Sequence, residues 1–396
     1  MTTQTIRNLV FQGGSVKGVA YVGALKALEE QIDMTRVKRV AGTSAGAITA
    51  ALFALGCDAA RIEELLLQFD FKAVLDDGAS SYISTQSKVL KSISKQEQGK
   101  STFFSKIPVK GVKIPLVSRL AQQHGIYDGE YIREWAENLI QEQVRTITNG
   151  KYSGKHLTFL ELHQLTEEYP GLFRDLSMIG SNVKTGKKEE FSYDNPVTQH
   201  AIISDSLRIS MSIPGLFKPH HLYCKINGER LVDLKREEWV DGGLYDNYPI
   251  NCFDKQKYME TGTLKAAAKD GLLYNPETLG FRLVSKDRKD FYEENGEIPE
   301  NDLTSAAAFY KMQLNARAAI QEEQYSRVEN VERTVYIDHL DVSTLAFNLS
   351  QEQQQALIQS GKEATERYLN QRCGAEFAAE QGASNSDLSA TTQFVF

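Results

Sequence analysis

Apolar and polar residues follow one another along the chain in blocks that predict a sheet covered by helices. Residues 6–11 and 37–41 are short apolar runs typical of buried strands, and each is followed by a helical pattern. In the first helix, Val22, Leu25 and Leu28 recur every three residues and share one face. Two strand–helix units in succession predict right-handed crossovers, and therefore an α/β fold with a parallel sheet.

The same periodicities continue through the second half of the chain. An Asn-Gly pair between two strand-like runs is a strong hairpin signal, and it occurs at Asn227-Gly228. The other predicted elements are strands at 176–182, 238–240, 279–284 and 334–338, and helices at 305–327 and 350–370.

Two segments depart from this pattern. The stretch from Lys88 to Arg119 holds eight Lys/Arg and one acid, so it carries +7 within a chain of net charge −7. We interpret residues 76–125 as an inserted, lid-like segment for an anionic lipid surface, where each basic residue contributes about 1 kcal/mol. A solvated, disordered loop is the alternative. From about residue 373 the Ala-, Ser-, Gln- and Gly-rich composition predicts a disordered tail to residue 396, after a single domain over 1–372.

Composition excludes several classes of protein. The acidic net charge and the absence of a folded nucleic-acid motif argue against a nucleic-acid binder. The four cysteines form no C-x-x-C pair, which favours reduced thiols over a disulfide scaffold or zinc knuckle. No apolar run approaches the roughly 18 residues of a membrane span, and the first residues lack the apolar core of a secretory signal. We therefore predict a cytoplasmic or peripheral membrane protein that requires no cofactor and no metal.

The run Gly42-Thr43-Ser44-Ala45-Gly46 fits the G-x-S-x-G pattern between a predicted strand and a predicted helix. In that context the serine lies on a sharp turn that lifts its hydroxyl clear of the sheet, and flanking glycines make room for the turn. The helix that follows directs its free N–H groups and positive dipole end toward the site. Ser44 is therefore the candidate nucleophile, although a tight turn without chemistry remains the alternative.

A second glycine-rich loop follows the first strand. It contains Gly13, Gly14, Ser15 and Lys17, and it fits neither a dinucleotide loop nor a P-loop, because serine replaces the required glycine and Lys precedes the last glycine. Small residues with free N–H groups are the donors that an oxyanion hole requires, each worth about 3 kcal/mol at the transition state. A plain turn would have the same composition.

A nucleophilic serine needs a base, and Asp241 is the candidate. It stands at a predicted strand end, directly before Gly242 and Gly243. A carboxylate in a partly apolar cleft has a raised pKa and can accept a proton directly. Asp-Gly is also a common turn pair, so this motif alone favours a turn.

Taken in this order, the three motifs resemble the patatin-like phospholipase family. Residues 210–219 are similar to that family's Ser-rich segment with its proline, and residues 241–249 match D-G-G-x-x-x-N-x-P. Residues 338–369 are similar to the C-terminal strand and helix of the family's bacterial members. The resemblance covers roughly residues 6–75 and 170–370.

The resemblance implies a three-layer sandwich with a mainly parallel central sheet, related to cytosolic phospholipase A2. It implies a Ser–Asp dyad without a catalytic histidine, in which Ser44 attacks a fatty-acyl ester and Asp241 accepts its proton. The N–H groups of Gly13, Gly14 and Ser15 would hold the oxyanion. Ser15 replaces the family's third glycine, so it keeps the N–H but is strained if its φ is positive.

Further implications concern substrate and partners. Lys17 matches the family's basic loop position, where it either contacts a substrate phosphate or caps the loop. The implied substrate is a phospholipid or lysophospholipid at a membrane surface, and some relatives need a protein or small-molecule activator or act as bacterial effectors. Two alternatives remain: an α/β-hydrolase triad of Ser44, Asp241 and His339, and a catalytically silent lipid- or partner-binding protein.

Overall fold

The structure is a computed structural model that describes residues 6–69, 124–125, 127–214, 216–233, 235–259, 273–285, 321–322, 324–343 and 349–390. The predicted insert at 76–125 lies outside the described residues apart from its last two positions. The predicted helix at 305–327 also lies outside them, except for residues 321–322 and 324–327. Both stay predictions.

An eight-stranded sheet forms the centre of the described chain, in the order β10-β9-β1-β2-β3-β8-β5, with β4 paired to β3. Strands β1, β2, β3, β9 and β10 run parallel, whereas β4 and β8 are antiparallel to β3. The strands are β1 (Asn8–Phe11), β2 (Arg39–Gly42), β3 (Asp175–Asn182), β4 (Lys187–Phe191), β5 (His220–His221), β6 (Tyr223–Ile226), β7 (Glu229–Val232), β8 (Glu238–Asp241), β9 (Thr278–Val284) and β10 (Thr334–Asp338). The mainly parallel α/β sheet that the pattern predicted is confirmed.

Both faces of the sheet are covered. Successive side chains of a strand point to opposite faces, and here Leu9 joins the larger core cluster while Val10 joins a smaller one. The larger cluster contains the buried faces of the helices, and the smaller one contains Tyr248, Phe253 and Tyr325. Burial on both faces explains why the parallel strands appear in the sequence as continuous apolar runs.

The helices of the described chain are α1 (Ala20–Gln31), α2 (Ala45–Ala54), α3 (Ala59–Gln68), α4 (Glu130–Ile147), α5 (Phe159–Glu168), α6 (Ile203–Ser210), α7 (Val328–Val331) and α8 (Gln351–Ala390). Asp58 caps α3, with its carboxylate accepting from the Arg61 N–H at 2.7 Å. Helices α1 and α8 cross in close contact, since a Cβ on Gly23 would lie 1.7 Å from the Ile358 carbonyl oxygen. Within the described residues, no helix is both long and apolar enough to span a bilayer.

Two local predictions can be compared with the structure. Asn227 and Gly228 form the tip of the β6–β7 hairpin with φ of 52° and 82°, the two left-handed residues of a type I′ turn. Helix α8 continues to Ala390, past the point where composition predicted disorder. Ala, Glu and Gln are good helix formers and no proline interrupts this stretch, so local propensity outweighs the low hydrophobicity.

Candidate active site

The three predicted motifs meet at one edge of the sheet. Phe11, the last residue of β1, pairs with Gly42, the last residue of β2, so the glycine loop and the nucleophile turn leave the sheet side by side. Gly42 pairs with Met178 of β3, and Asp241 at the end of β8 pairs with Gly180, two positions further along β3. The parallel pairing of β2 with β3 and the antiparallel pairing of β8 with β3 therefore bring Ser44 and Asp241 to the same level of the sheet, on the two strands that flank β3.

The nucleophile turn has the strained geometry that its sequence predicts. Ser44 has a φ of 53°, in the left-handed region that a serine rarely adopts. A Cβ on Gly42 would lie 2.2 Å from the Gly46 carbonyl oxygen, and one on Gly46 would lie 2.3 Å from that of Phe11. The turn is held from outside as well, because Ser210 Oγ accepts a hydrogen bond from the Ser44 N–H at 2.9 Å. Only glycine fits on either side of Ser44.

Asp241, the candidate base, is a buried carboxyl with a raised pKa. Its side chain is 5% exposed, and burial raises the pKa of the carboxyl to about 6. The nearby Ser44 side chain and the Gly243 N–H, which donates to Asp241 Oδ1 at 2.7 Å, oppose that rise. In the same conformation Ser44 Oγ lies 3.9 Å from the Met211 sulfur. A carboxylate with a pKa just below neutrality is ionised at pH 7 and still basic enough to take a proton.

The glycine loop lies against the nucleophile, but one predicted donor needs correction. The Gly13 N–H donates to the Asn247 carbonyl at 2.9 Å, and the Asn247 side-chain amide donates to the Gly13 carbonyl at 3.1 Å. The N–H of Gly13 is therefore bonded to residues 241–249, the acid loop, and is not free to hold an oxyanion. The N–H groups of Gly14 and Ser15 have no acceptor among the described residues. Ser15 has a φ of 54°, so it adopts the positive φ at which the sequence analysis expects a serine to be strained.

The backbone N–H of Ala45 is a further candidate donor that was not predicted from the sequence. Ala45 follows the nucleophile and opens α2, and no described residue accepts a hydrogen bond from its N–H. In G-x-S-x-G hydrolases the residue after the serine commonly contributes to the oxyanion hole, so the motif itself carried the signal. Gly18 packs directly beside it, since a Cβ there would lie 3.0 Å from the Ala45 Cβ.

The strand order rules out the triad alternative. His339 follows β10, which is separated from β2 by β9 and β1. At about 4.8 Å per strand, this places it about 14 Å from the Ser44 strand. Asp241 lies on the opposite side of β2, because β8 pairs with β3. His339 therefore cannot bridge Ser44 and Asp241, and the triad interpretation is wrong.

Lys17 is placed beside the glycine loop, in the short 3-10 helix Ser15–Val19. Partial burial lowers the pKa of its ammonium group. Because the group is partly buried, its charge is only partly hydrated, and no carboxylate among the described residues pairs with it. Among the same residues, no group of three His, Cys, Asp or Glu side chains is arranged to hold a metal ion.

An apolar cleft opens next to Ser44, the candidate nucleophile. It encloses about 690 Å³ when its open mouth is included, and Ala45 and Met211 connect it to Ser44. Helix α2 contributes Ile48 and Thr49, one turn beyond Ala45. Its other apolar walls include Val16, Val19, Leu66, Phe69, Ile213 and Phe217.

Comparison with known proteins gives relatives over almost the whole chain. The uncharacterized protein YqhO of Bacillus subtilis is 26% identical over 364 residues, which is 91% of this chain and 97% of YqhO. The uncharacterized protein R571 of Acanthamoeba polyphaga mimivirus is 21% identical over 366 residues, with 92% and 94% covered.

Solved structures give more distant matches. VipD from Legionella pneumophila is 20% identical with a TM-score of 0.49, over 92% of this chain and 67% of VipD. ExoU in the ExoU–SpcU complex of the Pseudomonas aeruginosa type III secretion system is 19% identical with a TM-score of 0.46, over 94% and 52%. This chain thus spans about half of the ExoU chain. The family model for patatin-like phospholipases matches residues 9–254, more than half of the chain, so this protein belongs to the patatin-like phospholipase family of lipid hydrolases.

Proposed function

We propose that this protein is a phospholipase A or lysophospholipase that cleaves fatty-acyl esters through a Ser44–Asp241 dyad and an acyl-enzyme. The observation that carries the proposal is the pairing of a serine at φ 53° with a buried carboxyl whose pKa is raised to about 6. A raised carboxyl pKa beside a strained nucleophile is costly for stability, and such groups cluster at catalytic sites.

The reaction would proceed in two halves. Ser44 Oγ attacks the ester carbonyl while Asp241 takes its proton, and the N–H groups of Gly14, Ser15 and Ala45 hold the developing oxyanion. Asp241 then returns the proton to the leaving alcohol, which leaves the fatty acid on Ser44. In the second half Asp241 accepts a proton from water, which attacks the acyl-enzyme; the bond to Ser44 breaks, Asp241 returns the proton to Ser44 Oγ, and the fatty acid is released.

The surroundings of the dyad favour a lipid substrate. The cleft beside Ala45 and Met211 suits an acyl chain, because its walls are mostly apolar side chains with few polar groups. Lys17, a partly buried cation with no described counter-ion, is suited to the phosphate of a phospholipid. Lys17→Met should slow phospholipid hydrolysis more than hydrolysis of a neutral ester with the same acyl chain. Equal slowing of both would assign Lys17 to the loop alone.

The decisive experiment compares the wild type with Ser44→Ala on mixed phospholipid vesicles, with released fatty acids identified by mass spectrometry. Release by the wild type alone supports the proposal, and the identity of the fatty acid shows which ester is cut. The alternative is a silent lipid-binding protein. A fluorophosphonate probe distinguishes the two, because a silent site leaves Ser44 unlabelled in the wild type.

A further inference from the structure

A helical segment outside the family match contacts the acid loop. Gln321 and Tyr325 stand four residues apart, and the Tyr325 hydroxyl lies 3.0 Å from Gln321 Oε1, so the two side chains share one face. The family match ends at residue 254, so neither residue belongs to a recognised motif. The proposed mechanism does not use either of them.

Gln321 is linked to the glycine loop of Gly13, Gly14 and Ser15, the oxyanion loop of the proposed mechanism, through one intermediate residue. Its Oε1 accepts a hydrogen bond from the Asn247 N–H at 2.9 Å. Asn247 in turn exchanges two hydrogen bonds with Gly13, at 2.9 and 3.1 Å. The Gln321 amide nitrogen lies 3.5 Å from the carbonyl oxygen of Gly243, whose N–H binds Asp241. The same side chain thus adjoins both the oxyanion loop and the base.

Tyr325 reaches the nucleophile turn in the same way. Its ring is 3% exposed, and its hydroxyl accepts from the Tyr248 N–H at 2.9 Å and lies 3.0 Å from Asp246 Oδ1. The backbone carbonyl of Asp246 accepts a hydrogen bond from the Thr43 hydroxyl at 3.0 Å, and Thr43 directly precedes Ser44. Asp246 is also held by Lys188, whose Nζ lies 2.5 Å from its other oxygen.

We infer that Gln321 and Tyr325 are positioning residues that set the register of the base, the nucleophile turn and the oxyanion loop. This inference rests on the proposed function. The three loops leave different strands, and the hydrogen bonds that join them run through Asp246 and Asn247, so the bonds of Gln321 and Tyr325 to this segment help to fix their spacing. Without these bonds, the N–H groups of Asn247 and Tyr248 would lose their acceptors and the acid loop would shift to recover them. A displacement of 1 Å in a reacting group can cost about 100-fold in rate.

The test uses Tyr325→Phe and Gln321→Met, which remove the polar atoms and keep the volume. The matched control is Tyr274→Phe, which removes the hydroxyl of another buried tyrosine, bonded at 3.3 Å to Arg327 and remote from the dyad. Both site variants should lower kcat roughly 10- to 100-fold with little change in KM. The acid limb of their pH–rate profile should move to higher pH, because Asp241 loses part of its bond from Gly243. The control should change neither.

Labelling of Ser44 by a fluorophosphonate provides an independent readout, since it needs only the nucleophile and the base. Slower labelling of folded Tyr325→Phe and Gln321→Met would support the inference even if the wild type released no fatty acid. The absence of fatty-acid release would contradict only the proposed function. Wild-type rates and an unshifted pH profile in both variants would overturn the inference. So would a loss of activity that merely follows the unfolded fraction seen by circular dichroism. A wild type that resists the probe overturns both proposals.

Discussion

Replacement of Asp241 by asparagine is expected to abolish activity and, above pH 6, to stabilise the fold. The Asp241 carboxyl is buried, and its pKa is raised from 3.8 to about 6. A group with a raised folded-state pKa contributes stability that is complete below pH 3.8 and is lost as the pH rises through about 6. Asparagine stays neutral and keeps an oxygen for the Gly243 N–H, so it avoids burying a charge.

The size of the effect follows from the pKa difference. A shift of about two units, at 1.36 kcal/mol per unit, corresponds to about 3 kcal/mol between the two ionisation states. The wild type should therefore lose about 3 kcal/mol relative to Asp241→Asn between pH 4 and pH 8. Proteins of this kind unfold with about 5–15 kcal/mol, so the difference is large enough to measure.

The assay is urea unfolding at pH 4, 5, 6, 7 and 8, followed by the fluorescence of the two tryptophans, Trp135 and Trp239. The quantity of interest is the difference in unfolding free energy between Asp241→Asn and the wild type at each pH. Asp341→Asn, at an exposed position in the loop after β10, is the matched control, because it removes a carboxylate that is not buried. A flat or falling difference for Asp241→Asn would refute the assignment of a raised pKa.

Three other perturbations separate the roles assigned to the site. The kcat/KM for a soluble ester should rise through pH 6 and level off above it, because the base must be the ionised Asp241; a limb above pH 8 would contradict this. Gly13→Ala should lose about 100-fold in kcat, since its Cβ would lie 2.2 Å from the Asn247 amide oxygen. Gly14→Ala should lower kcat less, because its Cβ would meet the flexible end of a leucine side chain. Equal losses in the two variants would argue against this steric explanation. His339→Gln should retain activity within about twofold; a large loss would revive the triad, given typical contributions of 100-fold or more from a general base.

Sequence reasoning is strongest where geometry is local. Ser44 could be named as a candidate because a serine between two glycines, after a strand and before a helix, has few backbone solutions. Asp241 could be found because a strand end followed by two glycines must turn at that residue. Ser15 could be named as a strain candidate because the left-handed conformation depends on a single residue, and its φ of 54° meets that condition.

The remaining features depend on contacts between distant parts of the chain. The sequence gives no sign that the Gly13 N–H is taken by Asn247, 234 residues away. Nor does it reveal Gln321 and Tyr325, which lie 74 to 79 residues beyond the groups they bind. A glutamine and a tyrosine on one helical face are more often surface and core residues than supports of an active site. Such roles emerge only when the sheet sets the register.

The central position of β1 determines when this protein can fold during synthesis. One neighbour of β1 is β2, but the other is β9, and Asn8 pairs with Thr278, 270 residues later. At about 5–20 residues per second, the ribosome needs on the order of tens of seconds to supply that partner. Until then the buried strand β1 has an open edge, a surface that recruits chaperones or other chains. The nascent enzyme thus remains inactive and vulnerable until nearly three quarters of the chain has emerged, and expression yield should depend on how well the cell protects that interval.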